Sequence, residues 1–331
     1  MAIFVALLLN TPASAPKSLV FLLNRCQREP VMRFLRYCWL FLFILACAPA
    51  APAATPTPLP GGPDVGVIII TTDLAVGNHR VVFGLVDRDG FPVRPPPAAE
   101  GQSPQAQVRA LLLSQGQPAG EVRATATAQF MRWPAGEQGI YTMRLDLDRA
   151  GFWQLEVTAL RADGSQVVAS GAFQVKPKTD APAAGDPAPR SKTPTAAQVA
   201  ELATITSANP PDPDLYRLSI DQALDAGKPL VVSFASPAFC VSATCGPQVQ
   251  IISQLKEKYR DQANFIHIEV FQDPHLLKGG RLEGKPVPSV LEWRLPSEPW
   301  TFVIDRNGIV QDRFEQFTNF EELEAALKRV L

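Results

Sequence analysis

The chain is short of cysteine, short of histidine and without any surplus of positive charge. Of its five cysteines, Cys26, Cys38 and Cys47 precede residue 48, so Cys240 and Cys245 are the only thiols in all that follows. Its three histidines, His79, His267 and His275, are scattered, and neither a metal site nor a cofactor is expected from them. Lys and Arg total 31 against 32 Asp and Glu, a net charge of -1. Phosphate binding draws on clustered basic side chains, so nucleic acid is excluded as a partner.

Proline, by contrast, is abundant at 32 residues, roughly double ordinary usage. It concentrates in two stretches, expected to be linkers at 48–63 and 176–197. Ahead of the first, Arg33 and Arg36 precede the apolar run Tyr37–Ala46, and Ile44-Leu45-Ala46-Cys47 leads into Ala/Pro/Thr-rich sequence. This resembles a bacterial lipoprotein signal over 32–47, which implies a lipid on Cys47 as the mature N-terminus. The alternative is a single N-terminal transmembrane anchor, since 34–54 is nearly long enough to span. Residues 1–31 fit neither reading and make Met32 a candidate start. Either way the rest of the chain is expected at the outer face of the cell membrane, where disulfides persist.

Residues 64–175 read as short strands separated by turns. The spacing predicts strands at 65–70, 80–86, 108–113, 124–130, 140–147, 153–160 and 167–175. Tyr141, Met143, Leu145 and Leu147 alternate, as do Trp153, Leu155, Val157 and Ala159, which places one face of each strand in a core. Strand number and the Gly-Phe-Trp-Gln-Leu-Glu-Val run resemble bacterial immunoglobulin-like β-sandwiches. Nothing catalytic gathers there, and a surface or capping role is expected of His79.

From 198 to 331 the pattern alternates strand and helix. Ser219-x-x-Gln222 reads as a capping box, with Gly227 closing that helix. Strands are predicted at 230–234 and 265–271, a helix at 246–260 and a short helix near 290–294. Strands at 300–304 and 309–314 follow, separated by an Asn307-Gly308 turn. Thr318-x-x-Glu321 is expected to cap the last helix, and a short edge strand is expected near 215–218. Cys240 and Cys245 fall where the 230–234 strand gives way to a helix. Unpaired N–H groups and the helix dipole favour a thiolate there.

This α/β order, with a cysteine motif after a central strand, resembles the thioredoxin fold. Val231-Val232-Ser233-Phe234-Ala235, Cys245-Gly246-Pro247 and Pro299 before an apolar strand carry the likeness. The resemblance implies a cis Glu298-Pro299 bond facing the sulfurs. It also implies a substrate surface built from Pro299, Gly246 and Pro247, with Phe239 and Trp300 offering apolar contact or packing beneath the loop. The chain departs from the family in having Gln248 at the second cysteine position and Ser233 where a buried acid is common.

Cys240 must then partner Cys245, which requires a turn over Val241–Thr244 to bring the Cα atoms within bonding range. Cys245 is expected as the attacking thiol and Cys240 as the resolving one, with the reverse assignment open. The expected activity is thiol–disulfide exchange with protein thiols or disulfides of exported proteins. The alternatives are a non-catalytic binding lipoprotein with a structural disulfide, and a copper chaperone similar to the Sco family. For the latter, His267 and His275 sit outside that family's histidine motif and are expected as ordinary surface or edge residues.

Overall fold

The computed structural model describes residues 64–331 except 100, 115–116, 135 and 278–283. The readings of the leader, including Cys47 and Met32, and the first proline-rich stretch lie outside the described residues.

Seven strands follow one another without an intervening helix: β1 Val65–Ile69, β2 Gly77–Asp87, β3 Gln105–Ser114, β4 Gln117–Arg132, β5 Gly139–Leu147, β6 Gly151–Leu160 and β7 Gln166–Val175. They run antiparallel in the order β1-β2-β5-β4-β3-β6-β7. The long β4 pairs with β3 through most of its length and with β5 through its last residues, Gln129–Arg132. This one strand therefore joins a β1-β2-β5 layer to a β3-β6-β7 layer, an arrangement consistent with an immunoglobulin-like sandwich.

The alternation read from the sequence is the alternation that is buried. Trp153, Leu155, Val157 and Ala159 point inward from β6, and Tyr141 stacks on Phe83 at 5.3 Å between ring centres. A fully buried side chain the size of Leu155, Val157 or Phe83 contributes about 1.5–3 kcal/mol. Gly171 lets β7 approach β1, since a β-carbon there would sit 2.3 Å from the Val67 carbonyl oxygen.

The second sheet has four strands in the order β11-β10-β8-β9: β8 Leu230–Ala235, β9 Asn264–Glu269, β10 Trp300–Ile304 and β11 Val310–Glu315. β8 and β9 are parallel, whereas β10 is antiparallel to both of its neighbours. Every residue of β8 and β10 is buried, as expected of strands covered on both faces. Val231, Ala235 and Val303 face helices α2 (Cys245–Tyr259) and α4 (Phe320–Lys328). Val232, Phe234, Phe302 and Ile304 face α1 (Ile220–Asp225) and α3 (Pro288–Glu292). The Ser219–Gln222 capping box opens α1, and Gly227 follows it at φ +63°.

Three expectations for this region need correction. Residues 213–216 form a 3-10 turn, not an edge strand, because Asp212 accepts from the Asp214 N–H and Pro213 fixes a helical φ at the first position. The cap of α4 is Asn319, which accepts from the Glu322 N–H at 2.9 Å, while the Thr318 hydroxyl donates to the Glu322 carboxylate. Finally, segment 176–197 is not a free linker. Ala181 and Ala188 pack into the second core, Val310 N–H donates to the Asp186 carbonyl at 2.9 Å, and Pro187 bridges to Ile309. Proline content signals extended backbone, and extended backbone can lie along a sheet edge as readily as in solvent.

The sandwich is bolted to the second sheet. Val82, Met131 and Ile140 share a core with Phe314, Phe317 and Leu323. Around them, Arg80 donates to the Glu315 and Phe317 carbonyls and to both Glu322 oxygens at 2.8–3.0 Å. Asp73, fully buried, meets Lys176 at 2.6 Å and Arg313 at 2.9 Å. The Glu315 carboxylate accepts from the Thr72 N–H and hydroxyl and from Ser297.

Candidate functional site

β8 ends at Ala235 and delivers the chain to a tight turn in which the Phe239 and Cys240 N–H groups both donate to the Ser236 carbonyl, at 3.0 and 2.9 Å. Ala243, at φ +55°, then reverses the backbone, and α2 begins at Cys245. This double bend is the turn that the spacing required. It brings the Cys240 and Cys245 Cα atoms to 5.9 Å, and the two sulfurs are bonded.

The two ends of the disulfide differ in access. Cys245 is fully buried at the first position of α2, whereas Cys240 is half-buried. Ser242 Oγ lies 3.2 Å from Cys240 Sγ and 2.7 Å from Thr244 Oγ1. No acidic residue occupies the first turn of α2, so nothing there offsets the positive end of the helix dipole.

The residues expected to form a substrate surface divide. Gly246 and Pro247 are half-buried, and Gly246 borders a groove of about 600 Å³ whose walls include Pro237, Ala238, Val249, Ser207 and Pro210. Phe239 is half-buried, edge-on to Phe271 at 6.1 Å. The Glu298-Pro299 bond is cis, yet Pro299 is buried and its carbonyl accepts from the Gln316 N–H at 2.8 Å. Trp300 is fully buried, stacked on Phe302 with the Arg313 guanidinium over its ring. It sits in the α1/α3 core because side chains alternate along β10, so Thr301 faces α2 and Trp300 cannot. Its expected surface contact is therefore withdrawn.

The departures from the family pattern are occupied by neutral groups. Ser233 and Thr301 share a hydrogen bond of 3.0 Å in the interior. Gln248, fully buried, accepts from the Thr318 N–H at 2.9 Å and so ties α2 to the entry of α4.

His267 is also internal, contrary to the surface or edge position expected for it. Its Nε2 faces the Ala235 carbonyl at 3.0 Å and its Nδ1 the Tyr216 hydroxyl at 2.7 Å, which is bonded in turn to Thr206 Oγ1 at 2.8 Å. Burial holds this imidazole below its ordinary pKa, against the opposing pull of Glu269. Glu269, buried at the end of β9, accepts from the Ser207 N–H at 2.8 Å and hydroxyl at 2.6 Å, and Ser207 Oγ accepts from the Ala238 N–H at 3.1 Å. Sequence reasoning missed this group, because its members are separated by 31 and 62 positions and obey no periodicity.

Among the described residues no three His, Cys, Asp or Glu side chains gather as a metal site, and no helix is long and apolar enough to cross a membrane. No family model and no curated protein matches the chain. Among solved structures, the crystal structure of MtrC from Shewanella baltica OS185 is similar over 47% of this chain and 28% of its own, at 14% identity and a TM-score of 0.24. Murine CRIg is similar over 35% of this chain and 98% of its own, at 12% identity and a TM-score of 0.20. Likenesses this slight carry no argument about what the chain does.

Proposed function

We propose that residues 198–331 form a thioredoxin-like domain that exchanges disulfides with exported proteins, following the sandwich of 64–175 and held at the outer face of the membrane by a lipid on Cys47. The carrying observation is the Cys240–Cys245 bond at the start of α2, with Cys240 half-buried and Cys245 fully buried. The β11-β10-β8-β9 order, with β8 and β9 parallel and the cysteines following β8, supports the fold reading.

Unequal access reverses the roles expected of the two thiols. A substrate thiolate attacks Cys240 Sγ, forming a substrate–Cys240 bond as the Cys240–Cys245 bond breaks. The electron pair leaves on Cys245 Sγ, at the positive end of α2, where a thiolate is stabilised and departs readily. A second substrate thiolate then attacks the substrate sulfur of the mixed disulfide and releases Cys240 as a thiolate. The substrate loses two electrons and the pair gains them; run backwards, the same steps reduce a substrate disulfide.

A Cys245→Ser variant of the intact chain tests this, because Cys240 left alone should accumulate mixed disulfides with exported proteins. The burial of Cys245 favours one competing reading, a structural bridge in a binding protein. Failure to trap any partner, together with a reduction potential below about -300 mV, would establish that reading instead. For the anchor, Cys47→Ser should abolish incorporation of labelled fatty acid, and unchanged incorporation would refute lipidation there.

A further inference from the structure

The short link between β8 and Cys240 is held from outside the disulfide. His267 Nε2 bonds the Ala235 carbonyl, at the point where β8 ends. Three residues on, the Ala238 N–H donates to Ser207 Oγ, and that hydroxyl donates to Glu269. The two anchors converge on neighbouring residues, because Thr206 bonds Tyr216, which bonds His267, while Ser207 bonds Glu269. His267 thus holds the link directly from β9, Glu269 reaches it through Ser207, and the far side of the His267 anchor ends on the adjacent Thr206.

The Glu269 carboxylate can only accept hydrogen bonds, and it takes three: the Ser207 N–H, the Ser207 hydroxyl and the Val270 N–H. This fixes the Ser207 hydroxyl proton toward Glu269, leaving a lone pair aimed at Ala238. The bond to Ala238 is thus set by a residue on the next strand, two positions before Cys240.

We infer that Glu269 and Ser207 are positioning residues that hold Cys240 within bonding reach of Cys245 when the disulfide is open. While the bond is closed, the sulfurs hold each other. In the dithiol, this bracket joins the Ser236 turn and the Ala243 N–H bond to the Cys240 carbonyl in keeping the Cys240 Cα near its 5.9 Å spacing from Cys245. A held pair has a high effective concentration of one thiol at the other, so the bracket favours the disulfide over the dithiol. The inference rests on Cys240–Cys245 being the exchanging pair, but it concerns only the equilibrium between its two states.

The test is equilibration of the intact protein with dithiothreitol couples. Protein dithiol plus oxidised dithiothreitol gives protein disulfide plus reduced dithiothreitol, with two electrons and two protons passing from one to the other. Ser207→Ala removes the relay, and Glu269→Ala removes the oxygen that accepts from both Ser207 donors. Each should lower the equilibrium constant for disulfide formation by about two- to tenfold, the equivalent of one lost hydrogen bond. Tenfold corresponds to about 30 mV toward a more oxidising potential.

Ser207→Thr, which keeps a hydroxyl, should restore the constant. A purely structural role would lower the thermal midpoint of the oxidised protein and leave the constant alone; that result would overturn the inference. Should Ser207→Ala not fold, Glu269→Ala carries the same comparison. Because dithiothreitol equilibrates with any accessible disulfide, an unmoved constant rejects the bracket even if partners are trapped through Cys240. A moved constant without trapped partners rejects the exchange function and leaves the bracket standing.

Discussion

Arg80 of the sandwich meets Glu322 of α4 with Nε 2.8 Å from Oε1, and its own side chain is only 3% exposed. The Glu322 side chain is 30% exposed, so losing Arg80 would leave a partly solvated carboxylate together with two carbonyls deprived of a buried donor.

Replacing Arg80 with alanine should therefore destabilise the protein by about 1–3 kcal/mol, chiefly because the Glu315 and Phe317 carbonyls would lose their donor. Urea unfolding checks it, and a loss below about 1 kcal/mol would put the pair in the range of exposed ion pairs.

Reduced protein under native conditions should alkylate at Cys240 well before Cys245, by about tenfold or more, because reaction requires an accessible thiolate. Timed iodoacetamide labelling followed by peptide mass mapping reads the order. Equal rates, or Cys245 first, would restore the original assignment of the attacking thiol.

Trp300→Ala should cost about 3–5 kcal/mol through the cavity it leaves in the α1/α3 core, while the exchange rate of the folded fraction stays within about twofold of the parent. A large fall in exchange at unchanged stability would return Trp300 to the substrate surface.

The pH dependence follows from His267. Its imidazole is depressed in the folded state by burial, whereas the unfolded chain titrates near about 6.5. Below that value the unfolded state binds the extra proton, so this contribution is present above about pH 6.5 and is lost as the pH falls toward the folded-state value. His79 is lowered in the same sense, by burial and then by Arg313. Urea midpoints between pH 7 and 5 should fall more steeply for the parent than for His267→Gln, and parallel curves would contradict this.

Local rules made much of the fold legible. Period-two alternation located β5 and β6, and the cysteine spacing required the turn that Ala243 makes. The features that were not legible depend on partners distant in the chain. Nothing near Arg80 announces four acceptors more than 230 positions away, and nothing near Ser207 announces Glu269. The side on which Trp300 falls was readable from its strand, but a tryptophan beside a presumed site invites an outward reading. His267 was misplaced because a histidine in an apolar strand looks the same from its neighbours whether or not a tyrosine packs on it from the 213–216 turn.

The way 176–197 is laid down bears on how this protein can be dissected. Starting an expression fragment at residue 198 would remove the acceptor that Asp186 offers Val310 and the carboxylate that Asp73 offers Arg313. It would also bare the apolar side of Phe314 and Phe317 that Val82 and Met131 now cover. Such a fragment should be sticky and frayed along one edge, so its inactivity would be an artefact of excision and would say nothing about the chemistry of the whole molecule.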